Sequence, residues 1–418
     1  MVALALPLAA SGAAGQASHH VTFQVGGDPE ELAAYQTLVD AFEAQNPDVD
    51  VAIVHIPDED EYLQRLTTDL AAGTPSDIVL LNYRKYAYYA ARDALEPLAP
   101  YLRSSTRIGE ADFVEQALAP FRWQGQLTCI PQNFSSLVVY YDKDLFDAAG
   151  LAYPSDDWTW DDFVDTATAL TLDTDGDGTI DQYGVGLQVS AYRLASFLWQ
   201  NGGDMVVMGD QGLPIGLAWG TPASRDAIEW FVGLQTAHHV APDAVAEAAE
   251  SSQSRFLNGR LAMFLDSRRH TTTFRTITDF DWDVAALPVG EQRASALHSD
   301  GYCMTAAAQD KDAAWRLIEF ANSVEGQTIV AGTGRSVPSL TEVANSPAFL
   351  DPAAKPAHSQ VWLDAGPYIR AMPVMPNWLE IEDLASGELK HAFYGEQSVD
   401  DAVANALRLT APLFAGGD

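Results

Sequence analysis

Ile130–Phe163 reads IPQNFSSLVVYYDKDLFDAAGLAYPSDDWTWDDF. Leu137–Tyr141 is a run of apolar and aromatic residues of strand length, expected to be buried. Lys143–Ala149 has helical composition, and Gly150 stands where a helix needs a left-handed stop. A Pro/Asp loop follows. Trp158-Thr159-Trp160 then leads into a second helix that Asp156 or Thr159 can cap. Nothing in the stretch offers a catalytic arrangement.

The same alternation fills the chain on the N-terminal side. Val21–Val25 alternates and ends at Gly26-Gly27-Asp28. Glu30–Gln45 has helical spacing in Leu32, Tyr35, Leu38, Val39 and Phe42, and stops at Asn46-Pro47. Val49–His55 is a second strand, and Glu59–Ala72 a second helix ended by Gly73-Thr74-Pro75. Ile78–Leu81 is short and wholly apolar, as expected in a parallel sheet covered on both faces. Such a β-α-β-α-β opening predicts a doubly wound α/β domain, with ligands beyond the carboxyl ends of the strands. Those ends carry Gly26–Asp28 and Asn82–Arg84. The middle, about 133–300, is richer in helix, and Ser359–Phe414 is largely helical. No internal repeat, heptad run or low-complexity tract is present.

At 418 residues the chain is too long for one compact core, so two domains are expected. A hydrophobic content of 47% and ten Trp suit a packed globular protein rather than a disordered one. The 58 acidic residues against 23 basic ones give a net charge of −35, which repels phosphate backbones and anionic headgroups. Nucleic acid is therefore excluded as a partner. Met1–Ala17 is apolar and then rich in small residues, like the end of a secretory signal without its basic start. Leu8-Ala9-Ala10-Ser11 resembles a lipoprotein-processing box with Ser in place of the lipidated Cys. Residues 1–18 are therefore set apart as a residual leader. GxSxG, HExxH and Walker sequences are absent.

Further segments agree in order: Ala90–Leu98 (AARDALEPL), Trp199–Gly203 (WQNGG), Phe256–Met263 (FLNGRLAM), Trp282–Val289 (WDVAALPV), Ala313–Asn322 (AAWRLIEFAN), Pro376–Leu384 (PNWLEIEDL) and Ser398–Ala406. With the opening stretch, their order resembles that of bacterial extracellular solute-binding proteins of the sugar-binding type, the maltose- and multiple-sugar-binding-like capture subunits of ABC importers. The resemblance spans almost all of the chain after residue 20. It implies the α/β two-lobe periplasmic-binding-protein fold (type II), with a ligand cleft between lobes at the hinge. One lobe would hold 20–131 plus 303–348, the other 132–300 plus 349–418. By similarity, Cys129 and Cys303 lie on neighbouring antiparallel hinge strands, where a disulfide is one reading and two free thiols the other. A monomer in the periplasm or at the cell surface, working with ABC permease subunits, is implied as well.

A sugar site needs flat apolar faces and planar polar side chains. The first lobe offers Asp28, Asn82, Tyr83 and Arg84; the hinge offers Asn133, Ser135, His298, Asp300 and Tyr302. Gln188, Tyr192, Trp199, Asp266, Arg268, Arg269 and Trp378 come from the second lobe. Trp199 and Tyr302 read equally as core, Gln188 and Tyr192 as caps or packing, and Asp28 as a helix cap. Trp378, after Pro376-Asn377, reads as a loop indole available for stacking. Many similar sugar binders carry Gly and then an aromatic after FLNGRLAM, whereas this chain has Asp266-Ser267-Arg268-Arg269. The Arg pair suits an acidic sugar or a phosphorylated polyol, or else simply pairs with surface acids.

Asp173–Gly184, DTDGDGTIDQYG, matches the first nine positions of an EF-hand-like loop, with Asp173, Asp175, Asp177, the Thr179 carbonyl and Asp181 as ligands. Gly184 occupies the twelfth position, so the bidentate Glu is missing. Structural calcium and a metal-free acidic turn are both open; no cofactor for activity is expected. The leading expectation is capture of a carbohydrate or related polyol for an ABC importer. The alternatives are capture of a glycerol-phosphate-type anion, led by Arg84, Arg268 and Arg269, and a secreted carbohydrate-active enzyme.

Overall fold

The computed structural model describes residues 18–415. The leader reading, including Leu8–Ser11, lies outside the described residues except for Ser18. Strand β1 (His19–Val25) is followed by helix α1 (Pro29–Gln45), β2 (Val49–His55), α2 (Glu59–Ala72), β3 (Ile78–Asn82) and α3 (Tyr83–Ala90). β2 and β3 flank β1 in parallel. The sheet then continues antiparallel through Asp300–Met304 and Cys129–Pro131. Its strands are apolar because helices cover both faces, and Phe23, Val25, Ile78, Val79 and Leu81 are fully buried.

A second sheet runs in the order Trp282–Ala285, Val138–Asp142, Leu261–Asp266, Tyr183–Leu187. It forms the centre of the other lobe. The opening stretch therefore supplies its inner strand, one residue later than the apolar run suggested, because Asp142 also caps the next helix. Asp142 Oδ1 accepts the backbone N–H groups of Asp144 and Leu145 at 2.9 and 3.1 Å. Gly150 closes that helix at φ 67°, and Thr159, not Asp156, caps the one that follows.

Two chain segments pass between the lobes side by side. Ser135–Ser136 pairs antiparallel with Ser295–His298, while Cys129–Pro131 pairs antiparallel with Asp300–Met304. Asn133 locks the passage: its Nδ2 donates to the His298 carbonyl at 3.0 Å, and its Oδ1 accepts the Asp300 N–H at 2.8 Å. Cys129 and Cys303 face each other in register at the first-lobe end and are bonded, with Sγ atoms 1.97 Å apart. The strand Asp300–Met304 carries this crossing without a break into the first-lobe sheet.

Candidate functional site

The cleft between the lobes encloses about 890 Å³, its open mouth included. From the first lobe it is lined by the ends of β1 and β3 and the starts of α1, α2 and α3. The second lobe contributes Gln188, Arg193 and Arg269, and the crossing contributes His298 and Asp300. Ligand-facing groups thus lie beyond the carboxyl ends of the parallel strands, where strand carbonyls and helix N-termini leave open backbone. Gly27, at φ 97°, makes room there: a Cβ would stand 1.9 Å from Glu31 Oε2. The Glu31 carboxylate folds back over this turn and accepts the Asp28 N–H at 3.0 Å.

Five of the chain's 23 Lys and Arg line this one cleft: Arg84, Lys85, Arg193, Arg269 and Arg335. Four are neutralised. Arg335 Nε lies 2.6 Å from Glu31 Oε1, and its Nη2 is 3.5 Å from Asp300 Oδ2. Lys85 pairs with Glu59 and Arg84 with Glu382. Arg193 Nη2 sits 2.8 Å from both oxygens of Asp266. The fifth, Arg269, is half-buried and has no carboxylate within 4.0 Å among the described residues. Burial alone would lower its pKa. The more distant Glu31, Asp266 and Glu59 carboxylates reverse that and hold it cationic.

His298 is buried, and burial pulls its imidazole down to about 4, helped by the Arg269, Arg193 and Arg84 charges. It is neutral near pH 7. Burial pushes the Asp300 carboxyl up, but His298, Arg335 and the hydrogen bond from Asn82 Nδ2 at 3.0 Å outweigh it, leaving it ionised. Among the described residues the lining holds two phenol rings, Tyr35 and Tyr62, which are 1% and 5% exposed. Burial takes the Tyr35 hydroxyl up to about 12.

Of the residues singled out in the sequence, Asn82, Arg84, Gln188, Arg269, His298 and Asp300 meet in this cleft. The rest do not line it. Trp378 is corrected most sharply. It opens the helix Trp378–Phe393, is fully buried, and donates from Nε1 to Glu382 Oε2 at 2.9 Å, so its indole presents no free face. Trp199 and Tyr302 are core, the former bonded to Asp204 and the latter packed on Phe23. Tyr83 is buried and accepts the Met372 N–H at 2.9 Å; Ser135 belongs to the crossing strand. Tyr192 lies beneath the Arg84 guanidinium, 4.2 Å from Cζ to ring centre. Asp266 is consumed by Arg193 and by His270 at 3.2 Å. Arg268 turns away from the cleft, between Phe349 and Trp362, and bonds the Gly334 carbonyl and Ser359 Oγ. Burial without a carboxylate drops its pKa to about 9. Asp28 bridges the lobes, accepting from Gln253 Nε2 at 3.2 Å and Thr273 Oγ1 at 3.1 Å.

Sequence reading missed Glu31, Glu59, Lys85, Arg193 and Arg335. Glu31 carried a signal, an acidic residue three positions after Asp28 at a helix start. Lys85 is adjacent to a residue that was chosen. Arg335, in a Gly-rich turn far along the chain, carried none.

The 173–181 loop is exposed. Ligand oxygens of Asp173, Asp175 and Asp177 lie within 4.8 Å of one another. Asp181 is turned instead to Thr174, accepting its N–H at 2.8 Å and its hydroxyl at 2.6 Å. The missing twelfth-position Glu has a steric cause. Gly184 lies in the strand Tyr183–Leu187, where a Cβ would meet the Ala167 carbonyl oxygen at 2.0 Å.

A family model described as bacterial extracellular solute-binding protein matches residues 26–328. The chain belongs to this family. This solute-binding protein is 25% identical over 380 residues to a binding protein of Brucella abortus, covering 89% of this chain and 87% of the relative. It is also 25% identical over 391 residues to the mannitol-binding protein of Pseudomonas aeruginosa, covering 88% and 80%. In fold it is similar to the ABC substrate-binding protein Lmo0181 of Listeria monocytogenes, solved with cycloalternan. The TM-score is 0.87 at 24% identity, covering 95% of this chain and 99% of that one. The two-lobe architecture is thus that of the family. No helix of the described residues is long and apolar enough to cross a membrane.

Proposed function

We propose that this solute-binding protein captures a carbohydrate or related polyol outside the cytoplasmic membrane. It acts as a monomer and presents the solute to the permease subunits of an ABC importer, without making or breaking a bond. One observation carries the reading: a single polar cleft is lined from both lobes and from the crossing segments between them. A solute touching both sides favours the shut arrangement, and the shut shape is what a transporter can recognise. Kinship to a mannitol-binding protein supports a polyhydroxylated ligand. A thermal-shift screen over monosaccharides, disaccharides, polyols and their acids tests it. Stabilisation by at least one of them is expected, and a flat response across the panel would remove the reading. Release of product from an oligosaccharide would contradict the absence of catalysis. The same reading places a structural calcium ion on the acidic loop, supported by the approach of Asp173, Asp175 and Asp177.

A further inference from the structure

The cleft divides its polar side chains into two sets. On the first-lobe side each charged group already has a partner: Glu31 and Asp300 share Arg335, Glu59 holds Lys85, and Asn82 and Glu382 hold Arg84. On the opposing side, Arg193 is spent on Asp266. The side chains of Arg269, Gln188 and His298 neither donate a hydrogen bond to nor accept one from any described residue, and they face the same space. His298 is neutral there and Gln188 carries no charge. The free recognition groups are therefore one guanidinium, one amide and one imidazole, and the only formal charge among them is positive.

A half-buried guanidinium with no direct ion pair among the described residues loses hydration when the lobes shut, and the more distant Glu31, Asp266 and Glu59 carboxylates favour its charge without bonding it. Among the described residues the lining has no exposed aromatic plate for sugar C–H faces, since Tyr35 and Tyr62 are buried. Charge, rather than stacking, is what this cleft offers for discrimination.

We propose that the solute is a sugar or polyol bearing one anionic group, a carboxylate or a phosphate, and that Arg269 receives that group in a two-pronged ion pair while Gln188 and His298 bond its hydroxyls. This rests on the carbohydrate-capture reading and narrows it. Planar guanidinium matches both anions, so the shared chemistry is named and the experiment separates the two sources.

The test is calorimetric titration of the full chain at low salt with matched solutes: galactose against galacturonate, mannitol against gluconate, and glycerol and glucose against their phosphates. At least one anionic solute should bind tenfold or more tightly than its neutral partner, and that preference should shrink as salt rises. Selectivity for carboxylates over phosphates, or the reverse, identifies the source. Arg269→Gln should abolish the preference, while Arg269→Lys, which keeps the charge but not the fork, should retain part of it. Neutral members binding as tightly as their anionic partners, or an unchanged preference in Arg269→Gln, would overturn the proposal and leave carbohydrate capture standing. Failure of every sugar and polyol, charged or neutral, would overturn both.

Discussion

Arg84, at the start of α3 in the first lobe, pairs with Glu382 of the second, and its guanidinium lies 4.2 Å above the Tyr192 ring. The two side chains are 11% and 10% exposed, so the pair is shielded from solvent. Trp378 Nε1 fixes the other carboxylate oxygen, and Asn82 Oδ1 accepts from Arg84 Nε at 3.1 Å. An ion pair spanning the two lobes at the edge of the binding space favours the shut state whether or not a solute is present. Glu382→Gln should therefore open the molecule. Small-angle scattering should show a larger radius of gyration without solute, and solute affinity should fall at least tenfold, about 1.4 kcal/mol. An unchanged radius would show that the pair does not govern closure.

Asp266 is buried beside Arg193 and His270. Burial pushes its carboxyl up, but the Arg193 and His270 charges hold it well below its ordinary value of 3.8. Removing the charge with Asp266→Asn leaves Arg193 without a counter-ion and should cost about 3–5 kcal/mol in urea denaturation.

The same depression fixes the sign of a pH effect. Because the folded carboxyl lies below the unfolded one, its contribution is complete above roughly pH 5 and is lost as pH falls toward the folded value. Stability to urea should drop from about pH 5 to about pH 3, with a shallower slope in Asp266→Asn. Equal slopes would assign the acid sensitivity to other carboxylates.

Cys129 and Cys303 join chain segments 174 residues apart, so the bond removes a large loop from the unfolded ensemble. The double variant Cys129→Ser/Cys303→Ser should lose about 2–5 kcal/mol. A thiol titration of denatured, unreduced wild-type protein should find none; two titratable thiols would refute the bond.

Calcium on the 173–181 loop would relieve repulsion among Asp173, Asp175 and Asp177, whose oxygens come within 4.8 Å. Added calcium should raise Tm over a chelated sample, and the rise should vanish in Asp175→Ala. Because Gly184 cannot give way to Glu and Asp181 is engaged by Thr174, affinity should be weak, on the order of 10⁻⁴–10⁻³ M. Identical melts with and without the ion would leave the loop a metal-free turn.

The local grammar of the chain was readable in one dimension. Gly150 and Thr159 end and begin helices because left-handed backbone and N-capping are properties of single residues and their near neighbours. The short apolar run Ile78–Leu81 announced a strand covered on both sides, and the order of such runs announced the two-lobe family. Residues set beside strand ends, such as Asn82, Arg84 and Asp300, were also within reach, because in this architecture strand ends face the cleft.

What no stretch of sequence could decide was which charges cancel. Trp378 followed a Pro-Asn turn and invited a reading as an exposed indole, yet it is buried against Glu382, four residues on. Arg268 and Arg269 are neighbours with the same side chain. One is wedged between Phe349 and Trp362, while the other lines the cleft without a direct ion pair among the described residues. Adjacent side chains at a strand end diverge into different surroundings, and the partners that neutralise them come from positions tens to hundreds of residues away, as Arg335 does for Glu31. Sequence therefore fixed the alternation of elements and the family, through short-range sterics and apolar periodicity. The balance of charge in the cleft is a sum over long-range neighbours, and only the tertiary fold sets it.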